Sequence, residues 1–239
     1  MEFVLTETTI GGLRILEPVT SLTDLITALV CFFAYFSLRK LHRTEAVHKY
    51  FTYYFLFMGV TTMVAATVGH AFLYAFGFSY KMIGWTFSSI GIFCIQAHSI
   101  ISLKPYVSQG FFRGLWVFII LQWVAFMSTI ITLTLVMGSE KGFEFVQMNS
   151  ALGLSLFTLP IQAWLYLKER NPARGMVALA IILGIIPAIV YRSEFTIHAY
   201  LNYHDISHLL MATIMFTLYR AAYGLQQSSN DDTRYLSLG

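Results

Sequence analysis

The stretch GLWVFIILQWVAFMSTIITLTLVM, residues 114–137, contains no charged side chain. A helix needs about 20 mostly apolar residues to cross the hydrocarbon core of a bilayer, so this run reads as a membrane span and sets the solvent for the rest of the chain. Composition agrees. Of 239 residues, 57% are hydrophobic and 11% charged, whereas soluble domains carry roughly 25% charge. Cys31 and Cys94 lie inside apolar runs without metal-type spacing and read as packing residues. The net charge of +3 is not gathered into a basic patch, which excludes a nucleic-acid partner. The N-terminus, MEFVLTETTIGG, lacks the basic start and apolar region of a signal peptide.

Six further runs have the same character, giving spans at 22–38, 50–76, 82–103, 114–137, 145–167, 176–191 and 203–223. The connections are short, so consecutive helices should be antiparallel neighbours. The expectation is an all-α integral membrane protein, a seven-transmembrane helix bundle forming one domain over residues 1–225. Residues 226–239, QQSSNDDTRYLSLG, read as a flexible cytoplasmic tail.

Lysine and arginine in short loops mark the cytoplasmic side. Arg39, Lys40, Arg43 and Lys49 follow the first span, Lys104 and Arg113 the third, and Lys168, Arg170 and Arg174 the fifth. The opposite side has Arg14, Lys81, Lys141 and Arg192 among Glu2, Glu7, Glu17, Glu140, Glu144 and Glu194. The N-terminus is therefore expected outside and the C-terminus in the cytoplasm.

That topology gives each polar residue a depth, at about 1.5 Å per helical residue. His70 falls roughly 9 Å inside the outer end of span two, and His208 roughly 8 Å inside the outer end of span seven. His204 sits at the rim, one turn from His208 and on the same helical face. Taken alone, HxxxH at a helix end is often an interfacial hydrogen-bonded pair. His70 at matching depth turns the pair into a triad, and three neutral imidazoles with one open position describe a catalytic zinc site. Ionisable groups inside a span are costly, which makes them functional candidates. His98, near the opposite end of span three, reads as a packing residue.

Seven spans with the N-terminus outside, GHAFLYAF late in span two and HDISH at the start of span seven resemble the CREST superfamily of alkaline ceramidases and adiponectin and progestin receptors. The architectural likeness covers the whole chain, the chemical likeness three residues. The resemblance implies that His70, His204 and His208 hold Zn2+. It also implies an acidic calcium site near the start of span one, where Glu17 and Asp24 stand. The family tends to have a serine one turn before its first histidine and an aspartate early in span three. This chain has Ala66 and Thr67 in the first place and no acid in KMIGWTFSSIG in the second.

A hydrolytic site also needs a proton acceptor. Asp24 is an intramembrane acid whose alternative role is a first-turn carboxylate favoured by the helix dipole. Asp205 adjoins a histidine and reads as a base or as a residue that orients an imidazole. Other seven-helix classes fit less well. A retinal protein needs a lysine within a span, and all six lysines lie in loops or at helix ends. A haem carrier would use His70 and His208 as axial ligands and leave His204 idle. The sequence thus points to a zinc-dependent integral membrane hydrolase of a lipid-like amide or ester, its metal site near the extracytoplasmic face. The alternative is a non-enzymatic receptor-like or haem/redox protein of the same fold.

Overall fold

The structure, a computed structural model, describes residues 6–137, 141–198 and 200–236, and is almost entirely helical. Of the residues expected on the acidic face, Glu2 and Glu140 lie outside the described residues. Six helices are long and apolar enough to cross a membrane: α1 Pro18–Arg39, α2 Ala46–Ala71, α3 Phe78–Tyr106, α4 Gln109–Val136, α5 Gly142–Glu169 and α6 Pro172–Arg192. Each contains one of the first six expected spans or most of it, extended into the flanking loops. A seventh helix, α7, covers Tyr203–Leu236. It is not among the six, since it opens with HDISH and carries Arg220 further on, which lowers its hydropathy. It also runs through Leu236, so most of the segment read as a flexible tail continues the helix. No proline follows Gly224 to stop it.

Consecutive helices pack side by side. α1 lies on α2, α2 on α3, α3 on α4 and α5, α5 on α6, and α7 closes the arrangement against α6 and α1. α3 is the central element: 72% of its apolar window is buried, against 28% for α4 and α5, which turn most of their surface outward. The main core joins Cys31, Tyr54, Phe55, Ile95, Val177 and Leu218 from five helices. Cys31 and Cys94 are both buried and free, the packing role expected for them. Gly153 allows α5 to close on α3, because a Cβ there would collide with Ile92.

Buried amides link the helices. Gln96 on α3 donates to Gln122 on α4 at 2.9 Å, and Gln122 donates to Asn149 on α5 at 2.9 Å. Below them, Gln162 donates to Ser99, and Arg174 bonds both Gln162 and Glu169. Hydrocarbon offers such groups no alternative partner, so each bond fixes the rotation of two helices, at a net value of about 0.6 kcal/mol.

An element absent from the sequence expectation precedes α1. Strands β1 Glu7–Ile10 and β2 Leu13–Leu16 form an antiparallel hairpin. Its turn residues Gly11 and Gly12 have φ of 58° and 83°, the positive values a tight two-residue hairpin requires. Tyr74 donates to the Arg14 carbonyl at 3.0 Å and pins this hairpin to the segment after α2.

Candidate functional site

Three elements meet beneath the hairpin: the start of α1, the end of α2 and the start of α7. The first two depart from regular geometry there. α1 begins at Pro18 behind Glu17, whose φ of 42° and ψ of 56° place a side-chain-bearing residue in the left-handed region, at a cost of about 1–2 kcal/mol. The hairpin holds this conformation through the Glu17 amide, which donates to the Thr6 carbonyl at 2.8 Å. α2 changes to a π-helical turn at Ala65–Ala71, where the Phe72 amide reaches back to Thr67 at 2.8 Å. Such turns add a residue to the helical face and recur at functional sites. His70 projects from this one.

α7 starts with a capping box. The Asn202 side chain accepts from the amides of His204 (2.8 Å) and Asp205 (3.4 Å), while Asp205 Oδ2 accepts from the Asn202 amide at 2.8 Å. Asp205 Oδ1 accepts from Thr20 on α1 at 2.7 Å. Asp205 is 0% exposed, and both its oxygens are engaged in starting α7 and fastening it to α1. These contacts place Asp205 beside the site, where it joins the start of α7 to α1 and makes no hydrogen bond to an imidazole of the described residues.

The sequence-expected histidines come together. Ring centroids stand 6.0 Å apart for His70 and His204, 6.1 Å for His70 and His208, and 6.4 Å for His204 and His208. His204 packs against Tyr203 and Tyr191, at 4.3 and 5.3 Å. Around one tetrahedral zinc, three imidazole centroids would stand about 5 Å apart, so the triangle is about 1 Å wider than a closed metal set. In keeping with that width, no group of three or more His, Cys, Asp and Glu among the described residues is placed to hold a metal ion as the side chains stand.

Carboxylates and hydroxyls orient two of the rings. His70 Nδ1 lies 2.7 Å from Glu17 Oε2. Donation of the Nδ1 hydrogen to Glu17 leaves the His70 Nε2 lone pair facing into the site. Burial opposes the charge on Glu17, but the bond from His70 and the neighbouring imidazoles outweigh it and hold the carboxyl below its ordinary pKa. His208 Nδ1 lies 3.2 Å from Thr23 Oγ1. Thr23 gives its own hydrogen to the Thr20 carbonyl at 3.0 Å, so its oxygen is free to accept from His208, again leaving Nε2 unprotonated.

Asp24 sits between the two rings, 3% exposed, with Oδ2 3.7 Å from His70 Nε2 and Oδ1 3.6 Å from His208 Nδ1. Both separations exceed hydrogen-bond length, and Oδ2 has no hydrogen-bond partner among the described residues. Glu17 occupies the N-cap position of α1 and Asp24 stands beyond its first turn, so the first-turn role considered for Asp24 does not apply. Of the site residues read from sequence, Asp24, Glu17, His70, His204 and His208 form one cluster, with Asp205 adjoining it through Thr20. His98 lies elsewhere, its Nδ1 on the Val47 carbonyl at 2.9 Å. Sequence reasoning missed Thr20, Thr23 and Thr27, whose i, i+3, i+7 spacing beside Asp24 marks a polar stripe on α1.

Fold and site together define a helical protein with membrane-spanning segments and a buried histidine and carboxylate cluster at one end. A family described as a family of unknown function, DUF6962, matches residues 19–227, and the chain belongs to that family. No curated protein and no solved structure matches it.

Proposed function

We propose that the cluster is a zinc site and that the chain is a seven-span, zinc-dependent membrane hydrolase acting on an amide or ester bond of a lipid-like molecule. The observation that carries this reading is the Asp24 carboxylate facing the His70 lone pair at 3.7 Å, with no donor on Oδ2 among the described residues. Two electron-rich groups buried face to face repel each other, and a cation between or beside them removes that penalty. His70 and His208 would hold the ion through Nε2, with His204 as the third ligand. The nitrogen-rich donor set favours zinc over calcium, which takes six to eight oxygens, and Glu17 is already committed to His70.

When bound, zinc supplies a Lewis acid that polarises a carbonyl and acidifies water. The chain's own groups supply the rest. Glu17 and Thr23 hold two imidazoles in one tautomer, Asp24 is placed to take a proton, and Tyr191 and Tyr203 wall the His204 side. The hairpin covers the cluster from the aqueous end, leaving the interhelical side toward lipid for an amphipathic substrate. The basic loops lie at the opposite end of the bundle, which supports an outside N-terminus, a cytoplasmic C-terminus and α7 as the seventh span.

The non-enzymatic alternative keeps the same ion in a receptor-like protein. The haem version fits poorly, since a porphyrin between His70 and His208 would have to displace His204, Asp24 or Glu17. Purified protein loaded with zinc and offered ceramides, acyl amides and esters in mixed micelles should release fatty acid, and chelation should abolish the release. Zinc binding with no hydrolysis of any of these would retain the metal site and move the assignment to a receptor-like protein.

A further inference from the structure

At the other end of the bundle, a cavity of about 650 Å3 opens between α1, the start of α6 and the second half of α7. Phe33, Met176, Phe216 and Tyr219 form its apolar wall, and Phe33 and Phe216 are 54% and 44% exposed. Asn171, Arg220 and Gln227 give it a polar end. Arg220 lies seventeen residues beyond Tyr203, roughly 25 Å along α7, which puts it at headgroup level if α7 spans from its first turn.

The charged side chain in the lining of the cavity is a cation. Arg220 is exposed and makes no ion pair or hydrogen bond to the described residues. Arg43 donates to the carbonyl of Gln226, next to Gln227, and reaches Glu45 only at 3.9 Å. Arg170 is exposed one residue before Asn171. No carboxylate is among the lining residues. A guanidinium presents a planar pair of donors that matches a phosphate, and basic pockets between spans at the basic face of a membrane protein suit anionic headgroups.

We infer that this cavity binds one anionic glycerophospholipid from the leaflet at the basic end, its phosphate on Arg220 and an acyl chain along Phe33, Met176, Phe216 and Tyr219. The volume lies within the range of small-molecule sites. The site is separate from the histidine cluster, so its test does not depend on zinc or hydrolysis.

The test uses full-length protein in nanodiscs of mixed phosphatidylcholine and phosphatidylglycerol, with the lipid retained after detergent extraction counted by native mass spectrometry. Phosphatidylglycerol should be retained over phosphatidylcholine. Arg220→Gln should reduce that preference by about tenfold, as loss of charge-assisted hydrogen bonds implies. Arg220→Lys should restore part of it. Met176→Trp, which fills the acyl slot, should release both lipids while Arg220 is intact. Equal retention of the two lipids, a preference unchanged in Arg220→Gln, or a dimer in place of bound lipid would each overturn the inference.

Discussion

The carboxylate of Glu17 reaches His70 Nδ1 at 2.7 Å from a left-handed backbone that the Thr6 carbonyl holds in place. A residue outside the first span thereby sets the tautomer of a histidine inside the second. Under the zinc reading Glu17 is an orienting group, and such partners contribute about 10–100-fold in metal affinity. Glu17→Gln should weaken zinc binding within that range in a chelator competition. Unchanged affinity would reduce Glu17 to the residue that starts α1.

Asp205 should separate folding from chemistry. Its oxygens close the capping box with Asn202 and accept from Thr20, so Asp205→Ala removes a helix cap and strands a buried hydroxyl. The loss should be about 1–3 kcal/mol, read as a lower melting temperature in detergent, while the folded fraction keeps its metal. A variant of normal stability that has lost activity would give Asp205 a chemical role.

Asp24 should behave in the opposite way. It stands beyond the first turn of α1, and its Oδ2 has no hydrogen-bond partner among the described residues. Asp24→Asn should cut hydrolysis about 10²-fold or more, the usual contribution of a proton-transferring group, with little change in melting temperature. Full turnover in this variant would exclude Asp24 as the proton acceptor.

The first six spans were legible because hydrocarbon imposes a length and a polarity that hydropathy reads directly. The histidine cluster was legible because depth along two antiparallel helices is simple arithmetic, and His70 and His208 do face each other. What escaped depends on rotation and local backbone. The GG turn inside ETTIGGLRIL is a hairpin signal, yet it is too short to stand out beside a membrane helix. Asn202 and Asp205 have capping-box spacing, and the histidines on either side drew Asp205 into a chemical reading instead. The π-helical turn under His70 has no residue signature. Gln96, Gln122 and Asn149 are lone amides in separate spans, and only the mutual rotation of three helices reveals that they bond.

Sidedness is testable with an impermeant thiol reagent, because Cys31 and Cys94 are buried. Ser79→Cys and Ser193→Cys, both exposed near the histidine end, should label from outside intact cells, and Arg170→Cys should not. Gly142 is unsuitable for this purpose, as a side chain there collides with Thr134. The reverse labelling pattern would put the cluster at the cytoplasmic face.

The most direct test of the central claim is the metal content of the purified chain, measured by inductively coupled plasma mass spectrometry. With His70, His204 and His208 as the ligands, the protein should carry about one zinc per chain. His208→Ala should lose it, and Asp205→Asn, which stands beside the cluster, should keep it. Absence of zinc after reconstitution with the metal, or full occupancy in each of the three single histidine-to-alanine variants, would contradict the assignment.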